Sequence, residues 1–583
     1  MAMNMFSDMM NDLPKMMETL QKQISKSPKM LDMLLSNMSK RTMGEMFPMF
    51  LNSYASMSDT TFIVDGEERF TYKQYKDRAF KLANGLVDLG IKHGDNVTLM
   101  LYNSHEYIEA LGAPLPIGAR ACLMNWHFQG EEIIGLLKDS KSKVLIFDEE
   151  FMDRIEEIRS ELKSVEHFIV VGKKAPSDMI LYEDFIQKYP IDLPPAPFTV
   201  SEMGMPVMMY TGGSTGRPKG VELGGGGESS GIMPSSTESL DLGEGMSLFP
   251  ALIEGFHFNE TTNIHLVSGP LYHAAPIAFF GFTVILRGTL VLMKKFDPVK
   301  TLKLIENEKV STAYLPPILL KRILNVPSEE RAKYDIRSLK SLTCGAAPCP
   351  VELKKAVVDY FGPIFYEWYA STDAAFNTIL EPKHYLADEA KFASVGKLIA
   401  GNKAKILDEN GNECSPGTPG DFYVKSIYTD MLSYYKDPEK TSNSFRTIGG
   451  EKYFVEGEVM YRDEEGFYYV VDRKKDMIIS GGVNVYPAEI ENVLYNHPKI
   501  KDVAVIGIPD SEWGESIMAF IQLKEGESAT EEDIISFCKD NLASYKKPRS
   551  VEFMSELPRH VDGKIMKQEL RKKYWGDKKI TEY

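Results

Sequence analysis

The hydrophobic pattern changes period several times along the chain. Residues 71–89 (TYKQYKDRAFKLANGLVDL) repeat apolar positions every three or four residues, which predicts an amphipathic helix. The run at 95–102 (DNVTLMLY) predicts a buried strand, 106–117 a further helix and 143–147 a further strand. Such alternation predicts parallel sheets covered by helices. The apolar stretch 274–286 stops at Arg287, too short to span a bilayer, and reads as a buried helix or strand. Between 400 and 470 the texture shifts to short strands and Gly/Asp turns, at 403–407, 421–425 and 466–471, predicting a small barrel or antiparallel sheet. After Asp472 a charged run, RKKD, precedes a compact α+β piece with a helix at 488–495 and a strand at 503–508. The expected fold is α/β: a large N-terminal domain of two α/β subdomains plus a small β-barrel, then a smaller, mobile α+β domain. The expected divisions are 1–57, 58–472 and 473–583.

Composition narrows the function. A net charge of −16 argues against a nucleic-acid partner. The five cysteines lack metal or disulfide spacing and read as reduced thiols. Asp8, Asn11 and Asp12 interrupt any secretory apolar core, so a cytoplasmic location is expected. Residues 1–57 carry methionines at helical spacing (Met5, Met9, Met16; Met30, Met33), which predicts a helical extension. It packs on its own domain, or else meets a membrane or a second subunit. The Gly- and Ser-rich segment 223–245 reads as a surface insertion.

Chemistry concentrates in separated motifs. In YTGGSTGRPKG (210–220), Gly212, Gly213 and Gly216 allow tight turns. Backbone N–H groups, the hydroxyls of Thr211, Ser214 and Thr215, and the Lys219 ammonium together suit a polyphosphate. It is not a Walker A loop, since Gly220 follows the lysine. In LTCGAAP (342–348), Gly345, Ala346 and Ala347 leave room for a flat ring against the backbone. The remaining motifs are YEWYASTD (366–373), YFVEGE (453–458), VDRKKDMIISGGVNVYPAEI (471–490), PRHVDGKIMKQEL (558–570) and GPLYHAA (269–275). Each alone also fits an ordinary turn, strand end or surface segment.

Taken together, in this order and over residues 60–570, these motifs resemble those of the adenylate-forming superfamily, the AMP-forming acyl-CoA synthetases above all. The resemblance implies that Gly345–Ala347 line adenine, Tyr369 stacks on it beside Ala370 and Ser371, and Thr372 touches the α-phosphate. It further implies that Asp373 holds Mg2+, Glu458 holds the ribose and Arg473 contacts ribose and phosphate. Lys475 falls at the family's hinge, and Gly481 and Gly482 at the loop lining the pantetheine tunnel. Lys564 is implied to reach the acyl carboxylate and α-phosphate, with His273 near the acyl carboxylate. Three residues depart from the family's usual choice: Ala370 replaces glycine, Asp373 glutamate and Glu458 aspartate.

The implied reaction has two steps. A carboxylic acid and ATP give an acyl-adenylate and pyrophosphate, and coenzyme A then takes the acyl group as a thioester. Residues near 272–282 and 314–320 are expected to line the acyl pocket and favour a fatty, aromatic or alicyclic acid. Alternatives are an adenylation enzyme loading a carrier protein, a luciferase-like oxygenase, or a degenerate nucleotide-binding homologue.

Overall fold

The computed structural model describes residues 58–194, 207–211, 219–223 and 263–575, apart from 348, 372–374, 400, 427–428, 430–431, 436, 474–475, 481–482, 512 and 560–564. The methionine-rich extension and the Gly-rich segment beyond residue 223 lie outside the described residues.

Four sheets organise the described chain, of nine, eight, five and five strands. Strand β1 (Thr61–Asp65) belongs to the nine-stranded sheet. The helix expected at 71–89 is Tyr72–Asp88. Thr71 caps it reciprocally with Gln74, and Ala79, Phe80, Leu82, Ala83 and Leu86 form its buried face. Strand β2 (Asn96–Met100) is buried throughout and pairs in parallel on both sides, which explains its unbroken apolar run. Helix α1 (His105–Gly112) ends short of the expected 117. Pro114 and Pro116 cannot sustain helical hydrogen bonding, and only a 3-10 turn, Leu115–Ile117, follows.

Strands β3 (Val207–Thr211) and β4 (Lys219–Leu223) form an antiparallel pair in the eight-stranded sheet. In the nine-stranded sheet, β5 (Ile264–Val267) leads to helix α2 (Ala274–Ile285), and β6 (Thr312–Tyr314) leads to helix α3 (Pro317–Leu324). β7 (Ser341–Cys344) and β8 (Phe365–Ser371) follow, and β5 to β8 are parallel neighbours in that order. α2 settles the ambiguity of 274–286 as a helix. It is apolar on several sides because Ile277 and Phe280 meet one core cluster while Phe279 and Phe282 meet another. The two large sheets share a core, with Phe62, Ile63 and Leu290 of one in the same cluster as Leu99, Ala121 and Ile146 of the other.

In the first five-stranded sheet, the long strand β9 (Glu451–Arg462) pairs antiparallel with three neighbours, among them β10 (Tyr468–Arg473). This is the antiparallel sheet that the turn-rich texture predicts; among the described residues its edge strands, Lys403–Leu407 and Phe445–Ile448, do not pair with each other, so it does not close into the expected small barrel. The last sheet belongs to the smaller domain, with helix α4 (Pro487–Tyr495), strand β11 (Ile500–Asp510) and helix α5 (Lys567–Trp575). β11 outruns the expected 503–508 because it pairs along nearly its whole length with Gly514–Leu523. Ile490, Leu494, Val503, Val505 and Ile517 make this domain's core.

Candidate active site

The carboxyl ends of β5 to β8 open on one side of the nine-stranded sheet, where open α/β sheets bind ligands. The eight-stranded sheet opens on the same rim, and one residue shows this directly. Asn103, just beyond β2, donates to Gly269 O (2.8 Å) beyond β5 and to Met293 O (3.2 Å) beyond the strand Thr289–Leu292. Its Oδ1 accepts from Leu271 N at 3.0 Å. β3 runs parallel to Arg120–Leu123, itself parallel to β2, so the chain leaving Thr211 emerges at this rim too.

The expected phosphate loop is the connection between β3 and β4, and Thr211 and Lys219 are the register partners that close it. Gly212, Gly213, Ser214, Thr215 and Gly216 lie outside the described residues. Gly345 leaves β7 in tight contact with β8; a Cβ there would stand 3.0 Å from Trp368 O. Ala346 turns the chain with φ +67°, a left-handed conformation unusual for a residue with a side chain. Across from this turn, Tyr369, Ala370 and Ser371 end β8 half-buried, and the Tyr369 ring meets Phe422 edge-on at 5.9 Å. Thr372 and Asp373 are outside the described residues.

Ser371 Oγ donates to Glu456 Oε1 (3.1 Å), and Asn377 Nδ2 donates to the same oxygen (2.5 Å). Glu456 on β9 thus ties that antiparallel sheet to the end of β8. Sequence reasoning gave it no role, although the spacing of YFVEGE offered two acids. Glu458, the expected ribose ligand, is the register partner of Arg473 on the facing strand. Two residues expected at one nucleotide therefore stand opposite each other. Asp472, next to Arg473, accepts the Ala488 N–H at 2.8 Å and anchors the start of α4.

His273 is the N-cap residue of α2, with its ring beside Tyr272 at 4.3 Å. The segments expected to line the acyl pocket converge behind it. Phe279 stacks on Tyr314 (5.2 Å) and tilts against Trp368 (4.8 Å), and Phe282 meets Phe376 (6.0 Å). By contrast, His265 is a core residue, its Nδ1 3.0 Å from Thr312 Oγ1, with burial pushing its pKa down to about 3. All five cysteines are free thiols.

Lys475, Gly481, Gly482 and Lys564 lie outside the described residues, but the residues flanking Lys564 are well anchored. Arg559 and Ile565 form an antiparallel bridge, and Met566 N donates to Pro558 O at 2.8 Å. Three ion pairs hold this segment to the smaller domain. Arg559 meets Asp502 on β11, Lys567 meets Glu491 on α4 (2.7 Å), and Arg571 meets Asp476 (2.7 Å). Burial pulls the Lys567 ammonium down, but Glu491, Asp472 and Asp476 outweigh it and leave the pKa above its ordinary value. Leu570 is the buried residue of α5 and packs with Ala504, Ile506, Phe520 and Leu557, so the docking is apolar as well as charged.

A separate charged cluster lies at the end of β1. The His105 ring Nδ1 is 3.1 Å from Asp65 Oδ2 and 3.4 Å from Glu106 Oε2, and Phe70 stacks on the ring at 4.3 Å. Burial lowers the imidazole pKa and so does Arg78, but Asp65, Glu106 and Glu109 outweigh them, and the net shift is upward from 6.5. A raised histidine contributes stability that is complete below its unfolded value and is lost as pH rises through the folded one. His105→Gln should therefore cost about 1 kcal/mol at pH 6 and progressively less at pH 8 and above. Urea unfolding across that range checks it; a pH-independent difference would remove the pair from the account.

Comparison with known proteins agrees with this geometry. The pattern of the AMP-binding enzyme family matches residues 51–435, and that of the AMP-binding enzyme C-terminal domain matches 489–564. The chain is 32% identical to a feruloyl-CoA synthase of Amycolatopsis sp over 517 residues, covering 88% of this chain and 96% of that protein. It is 30% identical to a 2-succinylbenzoate–CoA ligase of Geobacillus sp. (strain WCH70), covering 87% and 94%. In fold it resembles the anthranilate CoA ligase AuaEII, crystallised with anthranoyl-AMP, at TM-score 0.77 and 24% identity over 92% of this chain and 97% of that one. The chain belongs to the AMP-binding enzyme family. Within that family it is an acid–thiol ligase, for which ATP and coenzyme A are co-substrates.

Proposed function

We propose that this protein joins an apolar carboxylic acid, an aromatic one in the first place, to coenzyme A through an acyl-adenylate. The observation that carries this reading is the shared rim. The ends of β3 and β7 reach this rim, and Ser371 at the end of β8 meets Glu456, two residues before Glu458. The aromatic cluster of Phe279, Phe282, Tyr314, Trp368 and Phe376 favours an arene, as do relatives named for ferulate and 2-succinylbenzoate.

Carboxylates are poor electrophiles, and adenylation supplies a leaving group. The adenine lies between the Gly345–Ala347 turn and Tyr369, the ribose hydroxyls meet Glu458, and the phosphates meet the loop closed by Thr211 and Lys219. Thr372 contacts the α-phosphate. Lys564 neutralises charge on it as pyrophosphate departs, and His273 stands beside the acyl carboxylate. Magnesium, which shields phosphate charge when bound, would be held by Asp373. The nearby described groups, Ser371 Oγ and the Glu456 carboxylate, are hard oxygen donors suited to that ion. In the second step the smaller domain turns at Lys475, Lys564 withdraws, and Gly481 and Gly482 admit the thiol.

A panel of aromatic, fatty and alicyclic acids, assayed for pyrophosphate exchange, AMP and thioester, tests the reading. Exchange without thioester would favour transfer to a carrier protein, and no exchange with any acid would remove the activity. Glu458→Ala should raise the KM for ATP about tenfold, the worth of hydrogen bonds to one carboxylate, with a smaller change in kcat. An unchanged KM for ATP removes Glu458 from the ribose.

A further inference from the structure

A contact between the two domains lies next to the segment that carries Lys564. Lys321 sits on α3, the helix that leaves the rim after β6. Its Nζ donates to Lys501 O of the smaller domain at 3.1 Å and stands 5.8 Å from the centre of the Tyr495 ring. Asp502, the next residue, accepts from Tyr495 Oη at 2.7 Å and pairs with Arg559. Arg559 in turn forms the bridge with Ile565, the residue that follows Lys564. A continuous set of contacts therefore runs from the large domain, through Lys321, to the base of the lysine segment. The contact falls on α3, which starts directly after β6, and β6 is the parallel neighbour of β7, whose end carries the Gly345–Ala347 turn.

We propose that Lys321 is a positioning residue, a releasable latch that favours the domain arrangement in which the Lys564 segment faces the nucleotide, and hence the adenylation step. The inference rests on the two-step reading above and deepens it. The balance of charge makes the latch weak enough to open in every cycle. Burial pushes the Lys321 ammonium below its ordinary pKa, Asp502 opposes that, and Arg559, Lys501 and Lys524 add to it. The cation is held by one carbonyl, one ring and one shared carboxylate among three other cations. Such a contact biases an equilibrium without locking it.

Lys321→Met keeps the apolar stem and removes the charge and the donor. Losing one charged hydrogen bond should shift the balance between arrangements about tenfold. The test reads two quantities in the full chain. One is energy transfer between fluorophores on Lys340 of the large domain and Glu527 of the smaller one, both exposed. The other is the ratio of adenylation to thioester formation from supplied acyl-adenylate. Lys321→Met should depopulate the transfer state of the wild type and lower the ratio several-fold, and Lys321→Arg should restore both. An unchanged transfer distribution overturns the latch. So does an equal fall in both half-reactions, which marks a merely structural lysine. If the wild type performs neither half-reaction, the reading of function fails and the transfer distribution alone decides the latch.

Discussion

Replacing Lys564 by alanine should slow acyl-adenylate formation by about 100- to 1,000-fold, the usual cost of removing one preorganised group that meets developing charge. Thioester formation from supplied acyl-adenylate should stay within a few-fold of wild type. The asymmetry follows from how the flanking residues are held. The bridge of Arg559 and Ile565 and the pairs Arg559–Asp502, Lys567–Glu491 and Arg571–Asp476 fix both sides of the lysine to one rigid domain. A side chain presented on such a base serves whichever step brings that base to the nucleotide. The alanine variant loses a single ammonium and leaves these anchors in place, so its folding should be unaffected. Pyrophosphate exchange and single-turnover thioester assays on one preparation measure the two steps. Equal loss in both would show that the lysine does not divide its work between them.

Lys354→Met should destabilise the protein by about 3–5 kcal/mol at pH 7, the cost of leaving a buried charge without its partner. Lys354 and Glu367 are 2% and 3% exposed and form an ion pair. Lys354 Nζ also donates to Phe392 O (2.8 Å) and Ser394 O (3.1 Å). Burial pushes the Glu367 carboxyl up, and Lys354 is what opposes that. Without the lysine the carboxyl rises further. The folded state then binds the proton more tightly than the unfolded one, so stability grows as pH falls. The deficit should accordingly be smaller at pH 5 than at pH 7. Glu367 lies two residues before Tyr369 on β8, so ATP affinity should fall with stability. Lys354→Met combined with Glu367→Leu should recover much of the loss, because no charge remains to be buried. Denaturant unfolding at both pH values checks this; a Lys354→Met variant as stable as wild type would contradict it.

The motifs that identify the family were legible because each is a local device. A Gly-rich connection, a turn of small residues and a strand end with an aromatic are written in consecutive positions, and their order along the chain gave the family. Helix and strand periods were legible for the same reason, as at Tyr72–Asp88 and β2. Where the period misled, at 106–117, two prolines decided the end of the helix. Glu456 and Asn103 escaped notice because their partners are far away in sequence. Glu456 meets Ser371 and Asn377, and Asn103 meets Gly269, Leu271 and Met293. A lone Asn or Glu carries no spacing that announces such contacts. Lys321 is similar: on α3 it reads as one polar residue of an amphipathic helix, and its neighbours come from another domain.

The amino-acid sequence by itself determined the α/β class and the family, because periodicity and short motifs are properties of neighbouring residues. Only the tertiary structure decided that two sheets open on one rim, that Glu458 faces Arg473, and that the buried Lys354–Glu367 pair underlies the strand bearing Tyr369. The first depends on contacts between residues 166 positions apart, as at Asn103 and Gly269; the other two depend on strand register and burial, which no run of neighbouring residues specifies.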